Sequence, residues 1–187
     1  MTSDIKIFAL FALLALIVIG AIFLYNRLIR LRNLVRSSWS DIDVFLKKRH
    51  DLAGNLVETV KGYAAHEKTT LTGVTEARSR AMQAQSPAQK GEGESALSAA
   101  IKSLFAVAER YPDLKANENF LDLQRQLTDL ENDIANSRRY YNAVVRDYNT
   151  AIETFPANTI SSSLGFSKEG FFRLGSEDER EVTNVRF

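Results

Sequence analysis

Hydrophobic and polar positions form distinct blocks along this chain, and the first block is apolar throughout. Residues 7–26 carry no charged side chain. At about 1.5 Å of rise per residue, a helix of this length crosses the ~30 Å hydrocarbon core of a bilayer. The pattern predicts a transmembrane helix over residues 7–26 and a short extracytoplasmic N-terminus over residues 1–6. The anchor residues are Ile7, Leu10, Leu14, Ile17, Ile22 and Leu24.

A cleaved signal peptide is the competing interpretation of the same segment. Signal peptides have an apolar stretch of about 7–15 residues and a cleavage site made of small residues. Here the apolar run is longer, and the one weak candidate site, residues 18–20, lies inside it. We therefore expect the segment to be retained. A lipoprotein anchor is excluded because the chain has no cysteine to acylate.

Basic residues are concentrated on the C-terminal side of the apolar run. Arg27, Arg30, Arg32 and Arg36 follow it, whereas Lys6 is the only basic side chain before it. The positive-inside rule then places residues 27–187 in the cytosol. We expect the four arginines to contact anionic lipid headgroups.

The next block has the periodicity of a long helix, predicted over residues 26–83. Apolar positions recur at alternating steps of three and four residues, which gives one continuous apolar stripe. The stripe comprises Leu28, Leu31, Val35, Ser38, Ile42, Phe45, Arg49, Leu52 and Leu56, and it continues from Tyr63 to Ala81.

Two further helices are predicted after a polar, turn-rich loop over residues 84–94. A short helix over residues 95–110 begins at Ser95, a plausible N-cap. A long helix over residues 117–155 has the clearest stripe of the chain, with apolar residues at heptad spacing from Phe120 to Phe155. Pro156 ends it, because proline cannot continue a helix.

The C-terminal residues 157–187 lack a helical stripe. We expect an extended strap whose aromatic residues Phe166, Phe171, Phe172 and Phe187 pack on the helices, while the acidic residues 177–179 are solvated. The predicted fold is all-α: a transmembrane helix continues into an elongated antiparallel bundle of three main helices (residues 27–156), followed by the strap.

Several stretches of this sequence resemble the LemA family of bacterial membrane proteins, and the likeness covers nearly the whole chain. They are Trp39–Val44, Lys48–Leu52, Tyr63–Glu67, Tyr111–Ala116, Glu131, Arg138–Asn142, Tyr148–Asn149 and Phe155–Pro156. The resemblance implies an N-terminal anchor, an α-helical cytosolic domain and no established enzymatic activity. It also implies kinship with a protein that takes part in forming magnetosome membranes, and an association with membrane metalloproteases.

No catalytic, cofactor or metal site is predicted from the residues. His50 and His66 lie sixteen positions apart on one predicted helix, about 24 Å along its axis, so they cannot share a metal ion. The chain lacks phosphate-binding glycine motifs and a GxSxG nucleophile motif. Its net charge of +1 disfavours nucleic acid as a partner. We therefore expect that this protein is not an enzyme and that it has no small-molecule substrate.

A set of polar residues falls on or beside the apolar stripes: Arg49, Glu131, Arg138, Arg139, Asn142 and Asn149. A charge on an apolar stripe must be paired or must reach solvent, because an isolated buried charge is very costly. The favoured interpretation is an interhelical arginine–carboxylate pair that fixes helix register. A polar groove for a binding partner is the alternative.

Three functional hypotheses follow. The first is a non-enzymatic membrane scaffold or adaptor whose helical domain binds other proteins or forms a homo-oligomer. The second is a protein that assembles laterally on the bilayer and shapes membrane lipid. The third is an adaptor for a membrane metalloprotease.

Overall fold

The computed structural model describes residues 2–173, and its side chains from residue 4 onward. The helices are α1 (Thr2–Lys61), α2 (Lys68–Gln83), α3 (Pro87–Ala108), α4 (Pro112–Lys115) and α5 (Glu118–Glu153), followed by a 3-10 helix, Ala157–Thr159. No strand occurs within residues 2–173. The predicted all-α class, with an N-terminal apolar helix and a helical bundle, is confirmed.

Helix α1 is continuous from the apolar block into the amphipathic block, and its predicted stripe is confirmed. Leu28, Val35, Ile42, Leu52 and Leu56 are buried. Their spacing places them on one side of the helix, so that burying one face removes all of them from water. Most of the polar residues between them are exposed, whereas Ser38, Arg49 and His50 are buried.

The predicted helix over residues 26–83 is wrong at its centre, because residues 62–67 form turns that separate α1 from α2. Gly62 disfavours the helix by about 1 kcal/mol relative to alanine. The turn is also held from outside, since Glu67 accepts hydrogen bonds from Arg110 (2.9 Å) and Tyr111 (3.1 Å). These tertiary contacts are invisible to a periodicity argument.

The predicted loop over residues 84–94 is also wrong, because α3 begins at Pro87. Ser86, not Ser95, is the N-cap: it accepts a hydrogen bond from the backbone of Gln89, whose side chain reaches back to the cap. Proline at the first helical position is compatible with this capping box because its missing N–H would be unpaired anyway. Gly93 then allows close packing, since an added Cβ would lie 2.9 Å from the Ala81 Cα of α2.

Helix α5 matches its prediction closely in length, and its stripe is buried from Phe120 to Tyr148. Toward its end the stripe leaves the heptad positions. Val145 and Ile152 are buried, whereas Phe155, the last predicted stripe residue, is 83% exposed. The drift follows from the 3.6-residue turn of a straight helix, which departs from a strict seven-residue repeat.

The chain divides into two compact units, and α1 and α5 each contribute to both. Within unit 2 (residues 39–142 and 170–173 of the described part), α3 runs parallel to α1, because Lys90 pairs with Asp43 and Glu94 pairs with Arg49. Helix α5 runs antiparallel to α1. This direction follows because Trp39 contacts Tyr141 while Arg49 pairs with Glu131.

Helix α2 reverses the direction of α1, and Arg78 of α2 donates to the His50 carbonyl at 2.7 Å. The bundle of unit 2 therefore has four main helical segments of alternating direction, not the three predicted. The difference arises from the turn over residues 62–67 and from the early start of α3.

The predicted extended strap is only partly correct. Residues 157–165 form the 3-10 helix and further turns, and residues 166–173 have no regular secondary structure. Phe166 and Phe172 are buried as expected, but Phe171 is 37% exposed. Phe187 and the acidic residues 177–179 lie outside the described residues.

Candidate functional site: membrane anchor and buried ion cluster

The apolar part of α1 is the first candidate site. Among the described residues, one helix is long and apolar enough to cross a membrane, and no part of its most apolar 18-residue stretch is buried. Ile7, Leu10, Leu14, Ile17 and Ile22 are each more than half exposed. Leu24 is partly buried. A helix surface of this composition is stable in lipid, where all backbone groups are satisfied within the helix.

The basic residues after this apolar part differ in their surroundings. Arg27, Arg30 and Arg36 are exposed. Arg32 is partly buried, because its guanidinium carbon lies 5.0 Å from the ring centre of Phe166 in a cation–π contact. Its Nε has no hydrogen-bond partner. Headgroup contact by the four arginines stays a prediction.

The second candidate is a buried ion cluster in unit 2, formed by Arg49, His50, Glu94, Ser98 and Glu131. Arg49 is the centre of the cluster and is 2% exposed. Its Nη1 lies 2.8 Å from Glu94 Oε2, and its Nη2 donates to Ser98 Oγ at 2.6 Å and to the carboxylate of Glu131. One guanidinium thereby connects α1, α3 and α5.

Glu94 is shared between two partners on α1. Its Oε1 lies 2.6 Å from His50 Nε2, while Oε2 pairs with Arg49. A contact of this length is a hydrogen bond, with one proton shared between the imidazole nitrogen and the carboxylate oxygen. The Glu94 side chain is 1% exposed, so its charge depends on these two partners for stabilisation.

The backbone around His50 is held by α2. Arg78 Nε donates to the His50 carbonyl at 2.7 Å, and its guanidinium carbon lies 3.5 Å from where a Cβ on Gly54 would be. A cavity of about 250 Å³ borders His50 and is lined by Asp43, Lys47, Met82 and Lys90 among others. The cluster is therefore held by α2 behind His50, borders this open pocket on another side, and reaches the surface at Glu131.

The predicted polar set does not form one site. Arg49 and Glu131 are paired, as the interhelical interpretation expects. Arg139 is exposed and donates to Asn136 within its own helix, and Arg138 is only partly buried. Neither belongs to the ion cluster.

The two asparagines of the set bind backbone instead of a ligand. Asn142 makes two hydrogen bonds with Phe172, to its carbonyl and from its N–H, both 2.9 Å long. In unit 1, Asn149 pairs in the same way with the backbone of Glu169, at 3.0 and 2.9 Å. These side chains fix the course of residues 169–172.

Glu94, His50 and Ser98 were not predicted as members of the cluster. Glu94 was assigned to a loop because of Pro87 and the glycines around it. A usable signal was present, since Glu94 continues the spacing of Leu97, Ile101 and Leu104 by one further step toward the N-terminus. Extending that stripe would have placed it on the buried face of α3.

Tyr148 in unit 1 is buried, and its surroundings shift the pKa of its phenol. Burial raises the pKa of its phenol above the ordinary value, and the Glu169 carboxylate acts in the same direction. Arg32 and Arg36 oppose this shift, as does a backbone hydrogen bond from Ser167.

Within residues 2–173, no three histidine, aspartate or glutamate side chains are grouped so that they could hold a metal ion.

Comparison with known proteins identifies the relatives of this chain. It is 28% identical over 159 residues to Protein LemA of Metamycoplasma hominis, an alignment that covers 83% of this chain and 71% of the relative. It is 25% identical over 174 residues to Magnetosome protein MamQ of Magnetospirillum gryphiswaldense, and 24% identical over 175 residues to Magnetosome protein MamQ 2 of Paramagnetospirillum magneticum. This chain spans 64% of the length of each magnetosome protein.

None of these names denotes a catalytic activity, and the candidate membrane helix agrees with a membrane protein. The model of the LemA family matches residues 38–187, which is most of the chain. This chain therefore belongs to the LemA family.

Proposed function

We propose that this chain is a single-pass protein of the bacterial inner membrane whose helical domain acts in the cytosol as a scaffold or adaptor. The observation that carries the proposal is the continuity of α1. Its apolar part is unburied, and the same helix supplies buried residues from Leu28 to Val60. A helical domain so attached is suited to hold partners at a membrane surface.

The asymmetry of basic residues supports the orientation of the proposal. Four arginines follow the apolar run, and only Lys6 precedes it. Such an excess is retained on the cytosolic side during insertion. The extracytoplasmic N-terminus would then be residues 1–6.

Exposed apolar side chains of unit 2 supply surfaces for a protein partner or for a second copy. Val44 of α1 is 66% exposed, Met82 of α2 57% and Tyr140 of α5 53%. Single exposed apolar residues are common on proteins. These three nevertheless have the highest exposed fractions among the large apolar side chains of the described part of unit 2, so contact with a partner would remove their apolar surface from water.

Photo-crosslinking in intact membranes tests this function. A photoreactive amino acid replaces Val44, Met82 or Tyr140 in turn, with the exposed polar Gln85 as the matched control. A discrete adduct from at least one apolar position, and none from Gln85, supports the scaffold role, and the adduct mass distinguishes a second copy from another protein. Absence of any adduct from all three positions contradicts it.

A second candidate function is lateral assembly that organises lipid, and it is favoured by the relatives named as magnetosome proteins. Reconstitution of the full chain into liposomes separates the two functions. Vesicle tubulation or clustering without any partner supports the membrane-organising role. Unchanged vesicles together with a protein adduct support the scaffold.

The metalloprotease-adaptor hypothesis depends on the exposed acidic tail that the sequence predicts, which lies outside the described residues. Deletion of residues 177–187 tests it. Loss of a co-purifying membrane protease would support the hypothesis, and unchanged co-purification or none from the intact chain would contradict it.

A further inference from the structure

The segment that follows α5 is free of charge and carries large exposed apolar side chains. No acidic or basic residue occurs between Glu153 and Lys168. Within this segment, residues 154–167, Phe155 is 83% exposed and Leu164 is 45% exposed. Both would leave water favourably, at roughly 25 cal/mol per Å² of apolar surface, if an apolar phase lay beside them.

One end of the segment lies beside the end of the membrane helix. The ring of Phe166 contacts the ring of Tyr25 edge-on, with 5.9 Å between ring centres. Tyr25 is the last but one residue of the uncharged run 7–26. Tyrosine at this position is typical of the boundary between hydrocarbon and headgroups. The contact therefore brings the segment to the level of that boundary.

The other end of the segment reaches the same level along α5. Arg32 and Arg36 act electrostatically on Tyr148, so Tyr148 lies beside this part of α1. From Tyr148 to Phe155 the chain advances seven residues, about 10 Å if helical, and Tyr25 lies seven residues before Arg32. Because Phe166 follows α5 and lies against Tyr25, the end of α5 points toward Tyr25. Phe155 is thus near the level of Tyr25.

The turns of the segment are folded back onto the end of α5. Ser161 Oγ donates to the Ile152 carbonyl at 3.2 Å, and Ala157 and Phe166 are buried. With these residues turned inward, Phe155 and Leu164 remain as the outward apolar side chains. The segment presents an uncharged surface beside the membrane boundary.

We propose that residues 154–167 form a second membrane contact, in which Phe155 and Leu164 insert into the interfacial layer of the bilayer that α1 crosses. The partner is bilayer lipid. Arg27 and Arg30 are exposed on α1 beside the contact, so anionic headgroups complement this side of it, whereas Lys168 at the end of the segment is paired with Glu153. The inference rests on the membrane anchoring of α1 proposed above.

Environment-sensitive fluorescence on the full chain in vesicles tests this contact. Because the natural chain has no cysteine, single cysteines can be introduced and labelled with an NBD fluorophore. The test variants are Phe155→Cys and Leu164→Cys. Ile17→Cys reports on the anchor. Val44→Cys is the matched control, an exposed apolar position of α1 about 27 Å beyond Asn26 along the helix axis.

The vesicles contain phosphatidylcholine and phosphatidylglycerol, with and without lipids that carry a shallow doxyl quencher. We expect NBD emission at positions 155 and 164 to be several-fold higher than at position 44, and to be strongly reduced by the quencher. The signal at position 44 should be weak and unaffected.

Three results would overturn the inference. Bright emission at position 17 with water-like emission at positions 155 and 164 would leave the anchor in place and refute the second contact. Bright but unquenched emission at 155 and 164 would indicate burial in protein, through a partner or a second copy. Water-like emission at position 17 would instead refute the anchor itself, and the inference with it.

Discussion

The guanidinium of Arg49 in α1 lies 2.8 Å from the Glu94 carboxylate of α3, and both side chains are almost fully buried, at 2% and 1% exposure. Burying such a pair costs several kcal/mol of lost hydration for each ion, and the attraction between the two charges does no more than offset this cost. Its main structural consequence is therefore specificity. Any sliding of α3 along α1 separates the buried Glu94 carboxylate from both of its partners on α1, Arg49 and His50.

Replacement of Glu94 by leucine should strongly destabilise unit 2. The change leaves the buried Arg49 without its enclosed partner, and breaking a buried pair costs about 3–5 kcal/mol. Thermal unfolding of the full chain in detergent, followed by circular dichroism, measures the loss. Glu92→Leu, an exposed position two residues away on α3, is the control and should change stability by less than about 0.5 kcal/mol. Equal melting temperatures for the two variants would refute the role of the pair.

Replacing both charges together should cost less than replacing one. In the double variant Arg49→Met with Glu94→Leu, neither ion needs compensation by the other, and buried pairs can often be exchanged for apolar residues of similar volume. We expect the double variant to be more stable than Glu94→Leu alone by about 1–3 kcal/mol. A double-mutant cycle from thermal unfolding checks this. Simple additivity of the two single losses would contradict the coupling.

The asparagine contacts should control the order of residues 169–172. Asn142→Ala removes both hydrogen bonds to Phe172, at a cost of about 1–2 kcal/mol. We expect faster amide hydrogen exchange at Phe172 while the exchange of α3 is unchanged. Asn132→Ala is the control, since Asn132 is exposed and bonds only the Thr128 carbonyl of its own helix. Unaltered exchange in Asn142→Ala would refute the assignment.

Two glycines of neighbouring helical segments should respond in opposite directions to alanine. At Gly93 a Cβ would lie 2.9 Å from the backbone of Ala81, so Gly93→Ala should destabilise by about 1–3 kcal/mol. An added Cβ at Gly73, within α2, would have no atom within 4 Å apart from its chain neighbours and the backbone of its own helix. Gly73→Ala should therefore stabilise by up to about 1 kcal/mol. Thermal unfolding distinguishes them. A stabilising Gly93→Ala would contradict the close approach of α2 and α3.

Tyr148 should make stability fall at alkaline pH. Burial and Glu169 raise the pKa of its phenol, so the folded chain holds this proton more tightly than the unfolded chain. Stability is then unaffected below the ordinary tyrosine pKa of about 10 and decreases as pH rises above it. Melting temperatures across this range should fall less steeply for Tyr148→Phe than for the natural chain. Parallel curves would contradict the shift.

Periodicity predicted the apolar faces correctly wherever a helix is straight and uninterrupted. Most of the stripe of α1 from Leu28 to Leu56 is buried, and so is most of that of α5 from Phe120 to Tyr148. Both follow from local geometry, because side chains three and four positions apart share one face. The predicted pairing of Arg49 with a carboxylate came from the same reasoning, since a charge within such a stripe requires a partner.

One boundary depended on contacts that no local pattern contains, and another on a local capping signal. The break at residues 62–67 involves Glu67 bonded to Arg110 and Tyr111, more than forty residues away in sequence. The start of α3 depended on recognising Ser86 and Gln89 as a capping box, a signal that the surrounding proline and glycines obscured. Because the predicted helix began only at Ser95, the prediction placed Glu94 in a loop and did not include it in a site.

The sidedness of the anchor is the central claim of this account, and cysteine accessibility tests it most directly. Val44→Cys is exposed on α1 beyond the apolar run, and Thr2→Cys precedes that run. Both variants are treated with a membrane-impermeant maleimide in spheroplasts, before and after lysis. The account predicts that position 2 is labelled in intact spheroplasts and that position 44 is labelled only after lysis. Labelling of position 44 in intact spheroplasts would contradict a cytosolic helical domain.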